Sequence, residues 1–180
     1  MATATPVRVT SLYLRQAESA DEEFLQRLYA EQRTAELESS GLDALQCEVF
    51  LQIQFRARQL SYAAHYPTAS DQIIHLECGS PIGRILVERS TEGMRLIDIA
   101  LLRKQQRRGF GTKLLHALLQ ECMSRGEELR LQVLKGSVAE RLYLRLGFVL
   151  TGEDPFRKQM VWTGGSQETS HGRITKRALC

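Results

Sequence analysis

The sequence predicts a mixed α/β fold of the α+β type, with a mostly antiparallel sheet of about seven strands flanked by four helices. Three consecutive extended segments joined by short turns indicate an antiparallel meander. An amphipathic segment follows Gly109, with an apolar residue at every fourth position from Phe110 to Cys122, which is typical of a buried helix. Together with the flanking patterns, these features predict the element order β-α-α-β-β-β-α-β-α-β-β.

The N-terminal part is predicted to form one strand and two helices. Residues 8–15 form the strand, and a capping signal at 19–22 starts a helix over 21–38. A Ser-Ser-Gly break precedes a second helix, which is rich in Gln and Arg on one side and carries spaced apolar residues on the other. These apolar residues are Leu45, Val49, Ile53 and Leu60.

The remaining elements follow one another through short connections. The meander strands are predicted at 71–77, 81–89 and 94–102. The third helix begins at Gly109 and ends near Gly126. After it come a strand at 128–133, a helix at 138–147, and a pair of strands at 148–152 and 156–162.

Length and composition limit the class of protein. With 180 residues and 43% hydrophobic content, the chain suffices for one domain, expected over 1–162, while 163–180 lacks apolar periodicity and is predicted to be a mobile tail. The net charge of +3 lacks the basic excess of nucleic-acid-binding proteins. We find no signal peptide, membrane span or Cys-x-x-Cys spacing, and therefore expect a cytoplasmic protein without membrane, nucleic-acid or metal partners.

The segment 106–112, QRRGFGT, lies between an apolar strand and the third helix. The first amides of a helix have no intrahelical partner and lie at the positive end of its dipole, so they can bind an anion. Gly109 and Gly111 let a diphosphate approach the backbone, and Arg107 and Arg108 supply positive charge. The alternative is that the glycines only permit a turn and the arginines are solvated. Neither a P-loop nor a Rossmann glycine pattern is met.

Q-x-x-G-x-G at 106–111, followed by TKLLHALL, resembles the acetyl-CoA signature of the GNAT superfamily of N-acetyltransferases. Residues 137–148 resemble the late A-x-x-L-Y-x-x-x-G-F segment of the same family. Both segments occur in the family's order, and so do the predicted elements, so the chain is identified as a GNAT member over roughly 8–162. R-Q-A near the start, the second helix and I-D-I-A-L-L further resemble a bacterial subgroup of unassigned substrate.

The resemblance implies direct transfer of an acetyl group from acetyl-CoA to a primary amine of a small molecule or peptide, in a ternary complex and without a metal. It places the pyrophosphate on the loop after Gln106 and the pantetheine arm on a splayed strand end. Ser137 stands where many members have an asparagine. The implied donor-binding residues are Ala100, Leu101, Leu102, Gln106, Arg107, Arg108, Gly109, Phe110, Gly111, Thr112, Ser137 and Tyr143.

The resemblance also places Tyr143 near the thioester sulfur as a general acid, and a phenol with a pKa of about 10 can protonate a departing thiolate. The alternative is that Tyr143 only packs within its helix.

Asp98 is the first candidate for the base because it interrupts an apolar strand. Alternation along this strand places Asp98 on the same face as Leu96 and Ala100. A structural carboxylate paired with an arginine is equally open there, and Glu88 is the second candidate base.

Two further expectations concern function and assembly. The alternative to an active enzyme is a catalytically weak module that binds or senses acyl-CoA. The resemblance implies that the acceptor is chosen by the first two helices with their connecting loop, here residues 30–68, and by the final strands. Mixed charge in 30–68 does not indicate one substrate. Because the final strands of this fold often pair between subunits, a homodimer is also expected.

Overall fold

The computed structural model describes residues 7–9, 11–38 and 41–164. The predicted tail at 163–180 lies outside the described residues from position 165 onward. Within the described part, one sheet of eight strands has the order β1-β2-β3-β4-β5-β6-β8-β7. Every neighbouring pair is antiparallel except β5 and β6, which are parallel.

The elements follow the predicted order, with one additional strand. The strands are β1 (Val7–Val9), β2 (Leu12–Gln16), β3 (Ser70–Leu76), β4 (Pro81–Ser90), β5 (Gly93–Leu101), β6 (Leu129–Leu134), β7 (Val149–Glu153) and β8 (Arg157–Trp162). The helices are α1 (Glu22–Glu38), α2 (Ala44–His65), α3 (Phe110–Arg125) and α4 (Val138–Arg145). The mixed, mostly antiparallel fold is therefore confirmed.

The single strand predicted at 8–15 is divided into β1 and β2, and this division accounts for the eighth strand. Val9 pairs with Leu12, so the chain reverses within two residues. Ser11 has φ 69°, the left-handed conformation that such tight hairpin turns require. The turn was not predicted because it has no glycine or asparagine to signal it.

The sheet separates two hydrophobic cores. Ile73 and Ile74 are adjacent on β3 and belong to different cores, as alternation along a strand requires. The core on the Ile74 side is built on α3 and includes Leu114 and Tyr143. The core on the Ile73 side is smaller and contains α1 residues together with Phe55 of α2. Each face of the sheet is thus covered by its own pair of helices.

A bulge in β5 controls how this strand meets its neighbours. Leu86 pairs with Asp98 and Val87 with Leu96, so Ile97 is an extra residue. The bulge places Leu96 in the α3-side core while Asp98 faces α2. The predicted strict alternation, with Leu96 and Asp98 on one face, is therefore wrong.

The same bulge marks the point where β5 and β6 separate. The two parallel strands pair only from Met94 to Leu96 on β5, opposite Leu129 to Leu131 on β6. Beyond that point β6 continues to pair with β8 on its other side. An opening between β5 and β6 therefore begins after Leu96, earlier than the predicted splay at Ala100 to Leu102.

We predict that Gly83→Ala destabilises the fold. A Cβ atom at Gly83 of β4 would lie 2.2 Å from the Ala100 carbonyl oxygen and 2.7 Å from Leu101 Cδ2, so β4 and β5 would have to separate. Urea denaturation should show a loss of about 1–3 kcal/mol in the free energy of unfolding.

Gly152→Ala is the matched control, because its Cβ would meet only the end of the flexible Gln159 side chain, at 3.4 Å. We expect its free energy of unfolding to change by about 0.5 kcal/mol or less. Equal destabilisation by both substitutions would contradict the close approach of β4 and β5.

Candidate active site

The loop before α3 exposes a set of backbone amides. The first intrahelical hydrogen bond runs from Lys113 N to Gly109 O at 3.0 Å. The amides of the three preceding residues, Phe110 to Thr112, therefore have no acceptor within the helix. Arg107 and Gly109 both have left-handed backbones, with φ 58° and 82°. Such left-handed residues bend the chain so that successive amides converge on one anion.

The two glycines of this loop differ in backbone conformation and in the space around a Cβ atom. Gly109 needs its left-handed conformation, although a Cβ there would meet no atom within 4 Å. Gly111 has no positive φ, and its Cβ would meet only Leu101 Cδ1, at 3.9 Å. The fold itself therefore accommodates an alanine at Gly111.

Side chains around the loop hold its shape and supply positive charge. Phe110 is buried in the α3-side core and anchors the start of the helix. The guanidinium of Arg108 lies over the Phe110 ring and donates to Gln105 Oε1 at 2.8 Å. Arg107 and Arg108 are both exposed at the loop surface. Two cations thus lie beside the exposed amides.

Gln106 ties the loop to the end of β5. Its side-chain amide donates to Leu101 O at 3.0 Å. The Leu102 amide donates instead to Ile82 O of β4, so Leu102 is engaged with the sheet. Alternation along β5 then directs the backbone groups of Ile99 and Leu101 into the opening toward β6. Of the predicted backbone contacts, Leu101 lies at the opening, whereas Ile99 was not predicted.

Tyr143 of α4 belongs to the core beside this opening. Its ring contacts Phe148 in a tilted arrangement, with 5.4 Å between centroids. No residue in the described part of the chain accepts or donates a hydrogen bond at its hydroxyl. The only fully enclosed unpaired polar side-chain atoms there belong to His75 and Glu127, so the Tyr143 hydroxyl still reaches solvent. Burial, and then the charge of Asp98, raise the pKa of Tyr143 to about 12.

Asp98 forms an ion pair with Arg58 of α2. The Arg58 guanidinium lies between the rings of Tyr29 and Tyr62, 5.3 and 5.2 Å from their centroids. Its Nε donates to the Tyr62 hydroxyl at 3.0 Å. Burial, and then the charge of Asp98, raise the pKa of Tyr62. The sequence allows an arginine partner for Asp98, but no local pattern identifies Arg58, because 40 residues separate the two.

A second ion pair lies next to the first on the same face of the sheet. Arg84 of β4 donates to both oxygens of Asp71, each at 2.7 Å, and to Gln59 Oε1 at 2.9 Å. Arg84 is only 5% exposed, which explains why it is fully paired. Arg58, Arg84 and Asp98 line one narrow cavity between α1, α2 and β5. The cations and carboxylates on this face neutralise each other.

Two other predicted residues have different surroundings. The Ser137 hydroxyl caps α4 by accepting from Glu140 N at 3.2 Å, which leaves its own O–H available to donate. Glu88 pairs in register with Arg95 and lies beside Thr68, in the part of the sheet before the opening. The negative charge of Asp98 thus raises the pKa of Tyr143, whereas Glu88 lies elsewhere.

A family model described as an acetyltransferase (GNAT) domain matches residues 36–164. The chain belongs to the GNAT acetyltransferase family. The match covers the exposed amides, the β5–β6 opening and Tyr143. It confirms the family and the acetyltransferase class predicted from 106–111 and 137–148, while the bacterial subgroup is not determined. A search of curated proteins gives no match.

Solved structures share the fold of this GNAT domain. The PaiA N-acetyltransferase of Thermoplasma acidophilum, in complex with coenzyme A, is 17% identical, with TM-score 0.64 over 86% of this chain and 99% of its own. The spermidine N-acetyltransferase of Vibrio cholerae, in complex with CoA and spermine, is 19% identical, with TM-score 0.58 over 85% and 95%. The ribosomal-protein-S5-alanine acetyltransferase of Vibrio fischeri is 12% identical, with TM-score 0.59 over 91% and 98%.

Two features are absent from the described residues. No helix among them is both long and apolar enough to cross a membrane. In the same residues, no group of three or more His, Cys, Asp or Glu side chains is arranged to hold a metal ion.

We predict that Asp98→Asn lowers the pKa of Tyr143 from about 12, because the substitution removes the negative charge that opposes ionisation of the phenol. Burial remains, so the pKa should stay above the ordinary value of about 10. Carbon NMR of labelled tyrosine gives the pKa, and Tyr143→Phe assigns the resonance. An unchanged titration in Asp98→Asn would contradict the electrostatic contact between the two groups.

Proposed function

We propose that this GNAT domain binds acetyl-CoA with its diphosphate on the amides at the start of α3 and its pantetheine arm in the β5–β6 opening. It then transfers the acetyl group to a primary amine. The observation that carries the proposal is the continuity of these features, since Gln106 joins the exposed-amide loop directly to Leu101 at the opening. The chain's own groups fit such a donor at each position.

At the loop before α3, the diphosphate would be held by electrostatic attraction. The amides of Phe110, Gly111 and Thr112 lie at the positive end of the α3 dipole, where a phosphate is stabilised. Arg107 and Arg108 are exposed beside them and can add charge-assisted contacts. A diphosphate satisfies amides that the protein leaves unpaired.

In the opening, the pantetheine arm would pair with the backbone of β5 as an added strand does. The gap-facing backbone groups of Ile99 and Leu101 have no partner strand beyond Leu96, and an amide-containing arm can pair with them. An amide on this edge can also stabilise the oxyanion that forms when the amine attacks the thioester. We propose that the Ser137 hydroxyl contributes one further donor to the arm.

Two side chains handle protons in this proposal. The amine nitrogen forms the new C–N bond, and the C–S bond breaks with its electrons on sulfur, which Tyr143 protonates. Because its pKa is raised to about 12, Tyr143 holds its proton throughout the neutral range. Asp98 takes up the proton that the nitrogen loses, at the oxygen that Arg58 does not occupy. Solvent then restores both groups.

We propose that the acceptor is a small-molecule or peptide amine that enters from the α1–α2 side, where Asp98 faces Arg58. The Vibrio cholerae protein binds spermine, and the Vibrio fischeri protein is named for an alanine of a ribosomal protein. The acceptors to be tested therefore range from a small polyamine to a peptide. We further propose that the protein works as a cytoplasmic homodimer.

We predict that Gly111→Ala prevents acetyl-CoA binding without destabilising the protein. The fold has room for the methyl group, and Gly→Ala within a helix stabilises by about 0.4–1 kcal/mol. For the wild type, acetyl-CoA at 100 times its Kd should stabilise the fold by about 2.7 kcal/mol. Thermal denaturation with and without acetyl-CoA measures both effects.

Gly152→Ala serves as the control, because its glycine lies on β7 outside the loop, and the variant should respond to acetyl-CoA like the wild type. Undiminished binding by Gly111→Ala would place the diphosphate elsewhere and refute the proposed loop.

We predict that Tyr143→Phe lowers kcat by about 10²–10⁴-fold with little change in acetyl-CoA affinity, since the phenol acts on the leaving sulfur. Thiol release in a panel of amines, including spermine and peptides with free amino termini, measures turnover. If the wild type binds acetyl-CoA but releases no thiol with any amine, the alternative of an acyl-CoA-binding module is favoured. Full activity of Tyr143→Phe would exclude this residue as the acid.

A further inference from the structure

Helix α2 has its apolar side turned away from the protein. Leu45, Val49, Ile53 and Leu60 are 70%, 48%, 61% and 72% exposed. They recur along the whole helix on one side and form a stripe, which we call the α2 stripe. Among α2 residues only Phe55 is buried. Isolated exposed apolar residues are ordinary, whereas a continuous stripe of this kind is typical of a protein interface.

The polar cluster explains why the helix has this orientation. Arg58 of α2 reaches Asp98, and Gln59 reaches Arg84, so the sheet-facing side of α2 is committed to buried polar contacts. Turning the helix to bury the α2 stripe would remove these partners from Asp98 and Arg84 and leave charges unpaired. The stripe therefore stays exposed on the described part of the subunit.

The positions of the exposed charges favour a second copy of this chain. Glu48 and Arg56 are exposed, and neither makes a hydrogen bond or ion pair within the described residues. When two α2 helices run antiparallel about a two-fold axis at Gln52, Glu48 of each copy meets Arg56 of the other. A parallel pairing would instead place like charges together. The charge pattern is therefore complementary to itself in one orientation.

The apolar residues satisfy the same symmetry. With Gln52 at the axis, the position opposite Leu60 of the second copy is Ala44, which is next to Leu45, and the position opposite Ile53 is Leu51, two residues from Val49. The α2 stripe of one copy therefore lies along the α2 stripe of the other, with its apolar residues offset by one or two positions. Helix α2 has 22 residues, which correspond to about 33 Å, and this length is enough for several layers of such contacts.

We infer that the protein forms a two-fold symmetric homodimer through antiparallel packing of its α2 helices along the α2 stripe. This surface specifies the proposed homodimer and differs from the pairing of final strands expected from the sequence. It does not depend on the proposed acetyl transfer, because a monomer can retain activity and a dimer can lack it. Four helices, α1 and α2 of each copy, would lie together at the interface.

Charge reversal tests this arrangement. Glu48→Arg places two arginines opposite each other twice in the homodimer, and Arg56→Glu does the same with two glutamates. Analytical ultracentrifugation should therefore show a dimer Kd raised at least tenfold in each single variant. An equimolar mixture of the two variants should form a heterodimer with both ion pairs restored, and so should the double variant Glu48→Arg/Arg56→Glu with itself.

An apolar substitution and its control complete the test. Ile53→Glu should give a monomer, whereas Met123→Glu, which changes a 63% exposed residue of α3, should leave the dimer unchanged. Circular dichroism checks that each variant is folded. A wild-type monomer at all concentrations up to 100 µM, or a dimer that neither Ile53→Glu nor the single charge reversals weaken, would overturn the inference. Failure of the mixed variants to associate would overturn the antiparallel orientation.

Discussion

The separation of β5 from β6 is the constraint on which the rest of the site depends. One extra residue, Ile97, ends the parallel pairing after Leu96 and opens the sheet at its centre. The same bulge turns Asp98 toward α2 and away from the core that contains Leu96. A regular strand at this position would close the opening and bury an unpaired carboxylate on the wrong face. One irregularity thus accompanies both the opening and the orientation of Asp98.

Residues on two sides of this opening fix its shape. Gln106 binds Leu101 O, so the exposed amides of the α3 loop are kept at a constant position relative to β5. On the other side, Tyr143 is fixed by its packing against Phe148. Its hydroxyl nevertheless lacks a protein partner in the described residues and remains available. The proposed proton donor, the Tyr143 hydroxyl, is therefore held in place by rigid packing while its polar group stays free to bind a substrate.

Helix α2 connects the site to the surface of the molecule. Its polar side supplies Arg58, held between two tyrosine rings, and this arginine restrains Asp98. Because that side is needed inside, the apolar side faces solvent. The orientation of one helix therefore has two consequences, a neutralised pair of charges beside the candidate site and an exposed apolar stripe, which is the surface of the proposed dimer.

Local patterns were enough to predict the family and the exposed amides of the loop before α3. The unpaired amides of Phe110 to Thr112 follow from a helix start, and the family follows from Gln106, Gly109, Gly111 and Tyr143, because these features lie close together in the chain. The structure added what depends on long-range pairing. The β1–β2 turn has no glycine signal, the bulge at Ile97 exists only relative to β4, and Arg58 meets Asp98 across 40 residues. The sequence by itself determined the acetyltransferase family and the exposed amides of the α3 loop. Only the tertiary structure decided which face Asp98 and α2 present, because register and helix orientation are set by the burial of the whole domain.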